Sequence, residues 1–280
     1  MKTSNKLLIT LAALFIIVPI IVVAINAKIN YKPSTSGGFV EEQEINAEPF
    51  DKESQGRTAV PIKNPFTSIN IPDARGNALQ IHFIKSDVFG VKVPTEMKDA
   101  INFSVNNVGV LQIYFDDKAQ PSHHHRSDIT ILVYCRNVDE LNLTNSSELI
   151  LTAKSDSLNI NMKNAGQLSF GSPITLFTNN GKSSKVINQP DIKQLNINLD
   201  STTFYSENNS YKKLNIRCKN STVDLGGEED KSNIGNLTIN TFEKSEIKID
   251  KVNIDKISGS LSDETTIAMP VKYLKQMLKD

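Results

Sequence analysis

Cysteine occurs only twice in 280 residues, at Cys135 and Cys218. Two thiols cannot make a disulfide framework, so stability has to come from stacked apolar side chains. Neither sign of charge is in excess: 31 basic and 31 acidic side chains give a formal net charge of zero. With no basic stripe along the chain, nucleic acid is not an expected partner. Tryptophan is absent and aromatic residues make up only 6% of the chain. Asn, Ser, Thr and Lys abound instead, a mix suited to short strands joined by tight turns. No Ser-His-Asp spacing, phosphate loop or paired-acid motif stands out, so no catalytic residues and no cofactor are expected.

One long apolar run is present. Residues 1–6 form a short cationic tail with Lys2 and Lys6, and Leu7–Ala27 follows with 21 residues and no charge. At about 1.5 Å per residue, such a helix spans roughly 31 Å, enough for a bilayer core. A cleaved signal peptide, cut after Ala24 or Ala27, is the competing reading. Its apolar core is ordinarily about 7–15 residues, and the greater length here favours a retained transmembrane anchor. No Cys follows the run to carry a lipid. The charge before the span, slightly larger than that of Lys28 and Lys32 after it, places the amino terminus in the cytoplasm and the large domain outside. The lipid bilayer is therefore an expected partner through residues 7–27. Residues 28–64, with Pro33, Gly37-Gly38, Pro49, Gly56 and Pro61 and an acidic cluster at Glu41–Glu44, read as a flexible stem.

From Pro65 onward apolar residues alternate with polar ones. Ile69–Ile71, Leu79–Phe83, Val91–Val93, Ile101–Val105, Leu111–Phe115 and Ile129–Val133 read as strands. A rung then recurs: Leu141–Leu151, Leu158–Phe170, Leu195–Ser206 and Leu214–Leu225, with looser copies at Leu237–Ile249 and Ile257–Met269. Each copy holds an alternating apolar pair, a short polar turn and a second apolar pair. Ile174–Leu176 reads as a degraded copy inside the one double-length gap. Repeats near 20 residues, each too small to bury its own face, predict an all-β solenoid over residues 65–269. Parity assigns Leu141, Leu158, Leu195, Leu214 and Leu237 to one inward ladder. Leu143, Ile160, Ile197, Ile216 and Ile239 form the next. Asn142, Asn159, Asn196, Asn215 and Thr238 then form an outward file, read as a polar face that hydrogen bonds along the stack. Residues 270–280 start with Pro and carry Val271, Leu274 and Leu278 at helical spacing, which predicts a short helix capping the open strand edges.

The run FTSINIPDARGNALQIHFIKSDVFGVKVP, the segment INFSVNNVGVLQIYF and the LNL/LNI rungs together resemble the head GIN domain, a putative autotransporter adhesin-like family common in exported proteins of Bacteroidetes. The resemblance covers about Pro65–Met269 and rests on apolar positions. It implies a right-handed β-helix-like domain and an adhesin-like role, with no chemistry to transfer. Sparse glycine departs from the Gly-Asn-rich members.

Candidate chemical groups are few. His123-His124-His125 stands without a Cys or carboxylate ligand motif, so no metal site is expected. Cys135 and Cys218 share parity with buried positions and read as small hydrophobes. Asp116-Asp117, Asp139-Glu140 and Glu228-Glu229-Asp230 lie at strand ends or in turns, where solvated charge is the ordinary state. The expectation is a non-enzymatic, single-pass envelope protein that binds a glycan or a protein through an unidentified ligand surface. A glycan-cleaving enzyme on the same fold and a self-stacking scaffold are the alternatives.

Overall fold

The computed structural model describes residues 49–54, 56–119, 129–177, 183–188, 190–228 and 231–278, with a few positions between 6 and 21. It divides into two units, residues 1–38 and 39–280. In the first, Leu14, Phe15, Ile17, Val18, Pro19 and Ile21 are helical, and the apolar side chains of Leu14, Phe15, Ile17, Val18 and Ile21 are exposed. Most of the apolar run lies outside the described residues. Among those described, no helix is long and apolar enough to cross a membrane.

The second unit is all-β. Alternation produces strands β1 (Arg57–Pro61), β2 (Ser68–Ile71), β3 (Ala78–Lys85), β4 (Gly90–Pro94), β5 (Ile101–Val105), β6 (Val110–Phe115) and β7 (Ile129–Cys135). The rungs follow as β8 (Glu140–Thr144), β9 (Glu148–Thr152), β10 (Lys154–Lys163) and β11 (Gln167–Phe170). A pair, β12 (Ser172–Phe177) and β13 (Ser183–Asn188), comes before β14 (Asp191–Asp200) and β15 (Thr203–Glu207). Then come β16 (Tyr211–Lys219), β17 (Thr222–Gly226), β18 (Asn233–Phe242), β19 (Glu246–Ile249), β20 (Asn253–Ser260) and β21 (Thr266–Ala268), and helix α1 (Val271–Met277) ends the described chain. The strands assemble into a ten-stranded sheet, ordered β1-β4-β7-β3-β9-β11-β15-β17-β19-β21, and a nine-stranded sheet, ordered β20-β18-β16-β14-β10-β8-β2-β6-β5.

From β8 onward each rung places one strand in either sheet and pairs in parallel with the next. The inward side chains of both sheets form one apolar core. Leu141, Leu143, Leu158, Ile160, Leu195, Ile197, Leu214, Ile216, Leu237 and Ile239 are each 1% exposed or less. Such burial stabilises by roughly 1.5–3 kcal/mol per side chain relative to exposure. The corner between the two strands of a rung is built the same way in the first five rungs from β8. Asn145, Asn164, Ser201, Asn220 and Glu243 adopt left-handed φ values of 48–57°. At the first four corners the next residue, Ser146, Ala165, Thr202 or Ser221, turns inward and is small enough to be buried there. The ladder runs on through the bend, with Asn145 N–H donating to Lys163 O (3.1 Å), Asn164 to Asp200 O (2.9 Å) and Ser201 to Lys219 O (3.0 Å).

Five features differ from the sequence-based expectation. First, Leu141 stands opposite Ile160, not Leu158, and Leu143 opposite Met162, whereas Leu158, Leu195, Leu214 and Leu237 do share a row. A slip of two residues preserves parity, so motif alignment alone could not detect it. Second, Ile174–Leu176 is no rung: β12 and β13 form an antiparallel hairpin with its own two-stranded sheet, while β10 pairs directly with β14. The double-length gap is therefore one step with an insertion. Third, the first half is not a run of successive parallel rungs. β6 and β7 pair with one side of β2 and β3, and β8 and β9 pair with the other. Antiparallel β5 and β4 border the outer rung, and β1 lies beyond β4.

Fourth, the folded unit starts before Pro65, because β1 lies within the expected stem and pairs with β4. Residues just upstream are packed as well. The Lys92 ammonium, 1% exposed as a residue, donates to Pro49 O (3.1 Å), Lys52 O (2.7 Å) and Ser54 Oγ (2.9 Å). The Phe50 ring meets Tyr134 edge-on at 5.2 Å. It fits because position 90 is glycine: a Cβ there would lie 2.3 Å from the ring. Fifth, α1 buries Tyr273 and Met277, while Val271 and Leu278 are 63% and 75% exposed. The inward stripe follows the Tyr273 hydroxyl, which accepts from Ile254 N–H (3.0 Å) and donates to Val252 O (2.8 Å). Gln276 Oε1 accepts from Ile257 N–H (3.3 Å). These contacts satisfy backbone groups on β20, the edge strand of the nine-stranded sheet.

Candidate binding surface

The outward face of the nine-stranded sheet carries the most regular array of side chains outside the core. Parallel registry aligns two files. One runs Asn159, Asn196, Asn215, Thr238 and Ser258; the other runs Asn142, Asn161, Asn198, Arg217 and Asn240. The amides bond to one another across the strands. Asn196 Nδ2 donates to Asn159 Oδ1, Asn215 Nδ2 to Asn196 Oδ1 and Asn161 Nδ2 to Asn142 Oδ1, each at 2.7 Å. Asn198 Nδ2 donates to Asn161 Oδ1 at 2.5 Å, and Asn70 Nδ2 to Gln112 Oε1 at 2.7 Å. An amide has two N–H groups and two acceptor lone pairs. A mid-file residue such as Asn196 spends one of each on its neighbours, leaving one donor and one acceptor for a ligand. On the neighbouring strand Asn161 spends both N–H groups, on Asn142 Oδ1 and on Glu140 Oε1 (3.0 Å), and keeps acceptor capacity alone.

A third row lies one step along the strands: Thr144, Lys163, Asp200, Lys219 and Phe242. Between the second and third rows is a cleft of about 290 Å³ lined by Asn142, Asn161, Asn198, Thr144, Lys163 and Asp200. Lys219 is paired with Glu243 at 2.9 Å, and Asn220 Nδ2 donates to the same carboxylate at 2.7 Å. Those hydrogen bonds hold the Glu243 carboxyl below its usual pKa. Phe242 is 43% exposed, and the Arg217 guanidinium sits 5.6 Å above its ring.

The remaining candidates fall elsewhere. His123-His124-His125 lies outside the described residues, as do Glu229 and Asp230. Among the described residues, no three His, Cys, Asp or Glu side chains converge as metal ligands would. Asp117 is bound by Arg75, Glu140 accepts from Asn161 (3.0 Å) and Glu228 pairs with Lys231 (2.9 Å). Cys135 and Cys218 are buried and free, and burial pushes their thiols up to about 12 and about 11. Neither supplies a thiolate near neutral pH. A second depression, of about 280 Å³ beside the ends of β3, β7, β10 and β14, is lined by Phe83, Ile84 and Val138 together with charged side chains, half of which are paired. Lys193 binds Asp156, which lowers the pKa of that carboxyl, and Arg136 binds Asp87 at 3.1 Å.

One feature had no signal in the sequence. The outer face of the ten-stranded sheet is itself buried along the row Lys92–Leu132–His82–Thr152. Both His82 nitrogens and Thr152 Oγ1 have no hydrogen-bond partner there. Burial, with a smaller contribution from the Arg57 charge, lowers the imidazole pKa to about 4.

Crystal structures of a putative adhesin from Parabacteroides merdae ATCC 43184 and a putative adhesin from Bacteroides fragilis NCTC 9343 are similar at 14% and 11% identity, with TM-scores of 0.39 and 0.43. Each likeness covers 76% of this chain, and 92% and 91% of those chains respectively. A putative lipid binding protein from Parabacteroides distasonis ATCC 8503 is similar at 16% identity and a TM-score of 0.38, over 76% of this chain and 92% of that one. No curated protein matches the chain. The family described as putative auto-transporter adhesin, head GIN domain, matches residues 66–228, more than half of the sequence, and the chain belongs to that family.

Proposed function

We propose that this protein is a non-enzymatic binding or adhesion module of the cell envelope. In this reading it is a β-solenoid held outside the cytoplasm by a membrane span at residues 7–27, with the amide files of the nine-stranded sheet as its contact face. The carrying observation is the mutual hydrogen bonding of Asn159, Asn196 and Asn215, and of Asn142, Asn161 and Asn198. Side chains already held in one orientation lose little entropy on meeting a ligand, which is what a recognition surface requires. The adhesin family and the exposed apolar side chains between residues 14 and 21 support the reading. The contacts of α1 with β20 weigh against end-to-end stacking through that edge. Among the described residues, Asp117, Glu140 and Glu228 are engaged with Arg75, Asn161 and Lys231, which weighs against a glycan-cleaving enzyme.

The test is a screen of the full chain, reconstituted in lipid nanodiscs, against envelope glycans and envelope proteins. Binding of one of them without turnover is the expected result. Depolymerisation of a glycan, or no binding to any component, would overturn the proposal.

A further inference from the structure

We infer that the ligand of this face is an uncharged, hydroxyl-rich glycan laid across the strands from the Asn161–Asp200 cleft to Phe242. The inference rests on the binding reading above and specifies its substrate class. Three observations carry it.

The first is the hydrogen-bonding complement. Asn196 keeps one donor and one acceptor free, while Asn161, whose two N–H groups go to Asn142 and Glu140, keeps acceptor capacity alone. A sugar hydroxyl is both donor and acceptor, so adjacent hydroxyls of a pyranose match such a pair. A phosphate or carboxylate offers acceptors only and would leave the amide oxygens unmatched.

The second is charge. In the third row Lys163, Asp200 and Lys219 alternate in sign, and Lys219 is already neutralised by Glu243 at 2.9 Å. No field of one sign is built along this row, so nothing in it favours a polyanion. Within the cleft, Lys163 and Asp200 stand opposite each other on adjacent strands and supply a charged donor and a charged acceptor. Hydrogen bonds to charged groups are the stronger class, which makes the cleft the anchoring subsite.

The third is the aromatic ring. Phe242 is exposed on a polar face, in the same row as Asp200 and two strands away, roughly 10 Å along the stack. The Arg217 guanidinium lies against the ring at 5.6 Å. A ring presented in this way offers its face to the apolar side of a pyranose, while the cleft takes the polar edge of another residue of the same chain. An extended peptide would find amide partners here too. It would not find recesses for alternate side chains, because outside the cleft the outward positions are filled by amides, hydroxyls, the Lys219–Glu243 pair and Arg217 against Phe242.

The experiment uses the full chain in nanodiscs, with immobilised neutral glucans, mannans and xylans, an anionic polysaccharide, and purified envelope proteins as probes. At least one neutral glycan should bind, with little change from low to high salt. Phe242→Ala and Asn198→Ala should each weaken that binding by about tenfold, while Phe242→Tyr retains it. Thermal melts of the two Phe242 variants should match the parent, since that position is exposed, and Asn198→Ala should fall only by the small amount its bond to Asn161 contributes. Binding of only the anionic polymer, or neutral-glycan binding unmoved by Phe242→Ala and Asn198→Ala, would overturn the inference. If an envelope protein binds instead and Asn198→Ala abolishes that contact, this inference falls while the binding function stands. If nothing binds, both fall.

Discussion

The sharpest energetic consequence of the structure concerns His82. Its side chain lies in β3 on the covered face of the ten-stranded sheet, the residue is 2% exposed, and neither ring nitrogen has a partner. Burial first, and the Arg57 charge second, lower its pKa from 6.5 to about 4. The native state thus holds a neutral imidazole. Below about pH 6.5 the unfolded chain takes up a proton that the native state refuses until about pH 4. Stability is therefore whole above that window, falls as pH drops through it, and is fully lost to this group below it. Two and a half pH units at about 1.4 kcal/mol each correspond to roughly 3 kcal/mol. His82→Leu removes the titration and two orphaned polar atoms at similar volume. The variant should match or exceed the parent at neutral pH, by up to about 1–3 kcal/mol. Urea melts of the full chain in detergent, followed by circular dichroism across the window, read both effects. The gap between variant and parent should widen by about 3 kcal/mol as the pH falls. Parallel curves would refute the burial argument. Taking the difference also cancels every group that titrates alike in the two proteins, the carboxylates included.

Two further outcomes follow from the core and the N-terminal strap. Leu214→Ala should cost about 2–5 kcal/mol, because Leu214 is fully buried between Leu195 and Leu237. Asn215→Ala should cost only about 0.5–1.5 kcal/mol for the bond to Asn196, and the reverse order in denaturant melts would refute the assigned parity. Lys92→Met leaves three oxygens without their donor, and Gly90→Ala drives a Cβ into the Phe50 ring. Either change should loosen residues 49–61, at a cost of about 1–3 kcal/mol. Limited proteolysis should then cut within that segment faster than in the parent, with the rest of the unit intact.

Alternation by itself determined which side chains of each rung strand point into the core, because successive side chains of a pleated backbone point to opposite sides regardless of what lies next to them. The inward positions from Leu141 to Ile239, the two inward thiols and the outward asparagines all follow from that one rule. The rule says nothing about neighbours. Sliding β8 against β10 by two residues keeps every side chain on its own face, so the similar LNL and LNI motifs invited a register in which Leu141 faces Leu158. Longer-range packing instead put Leu141 opposite Ile160 and thereby decided which asparagines share a file and a cleft. The place of β2 and β3 between two other rungs was hidden for the same reason: any apolar ladder can stack on any other, and the choice rests on the burial of the whole assembly. The covered row at Lys92 and His82 was hidden differently. At its Lys92 end lies a segment around Pro49, Lys52 and Ser54 that contributes backbone oxygens and one aromatic ring. Backbone oxygens are common to every residue, so only the tertiary structure could bring three of the strap's oxygens, two of them main-chain carbonyls, to one buried ammonium.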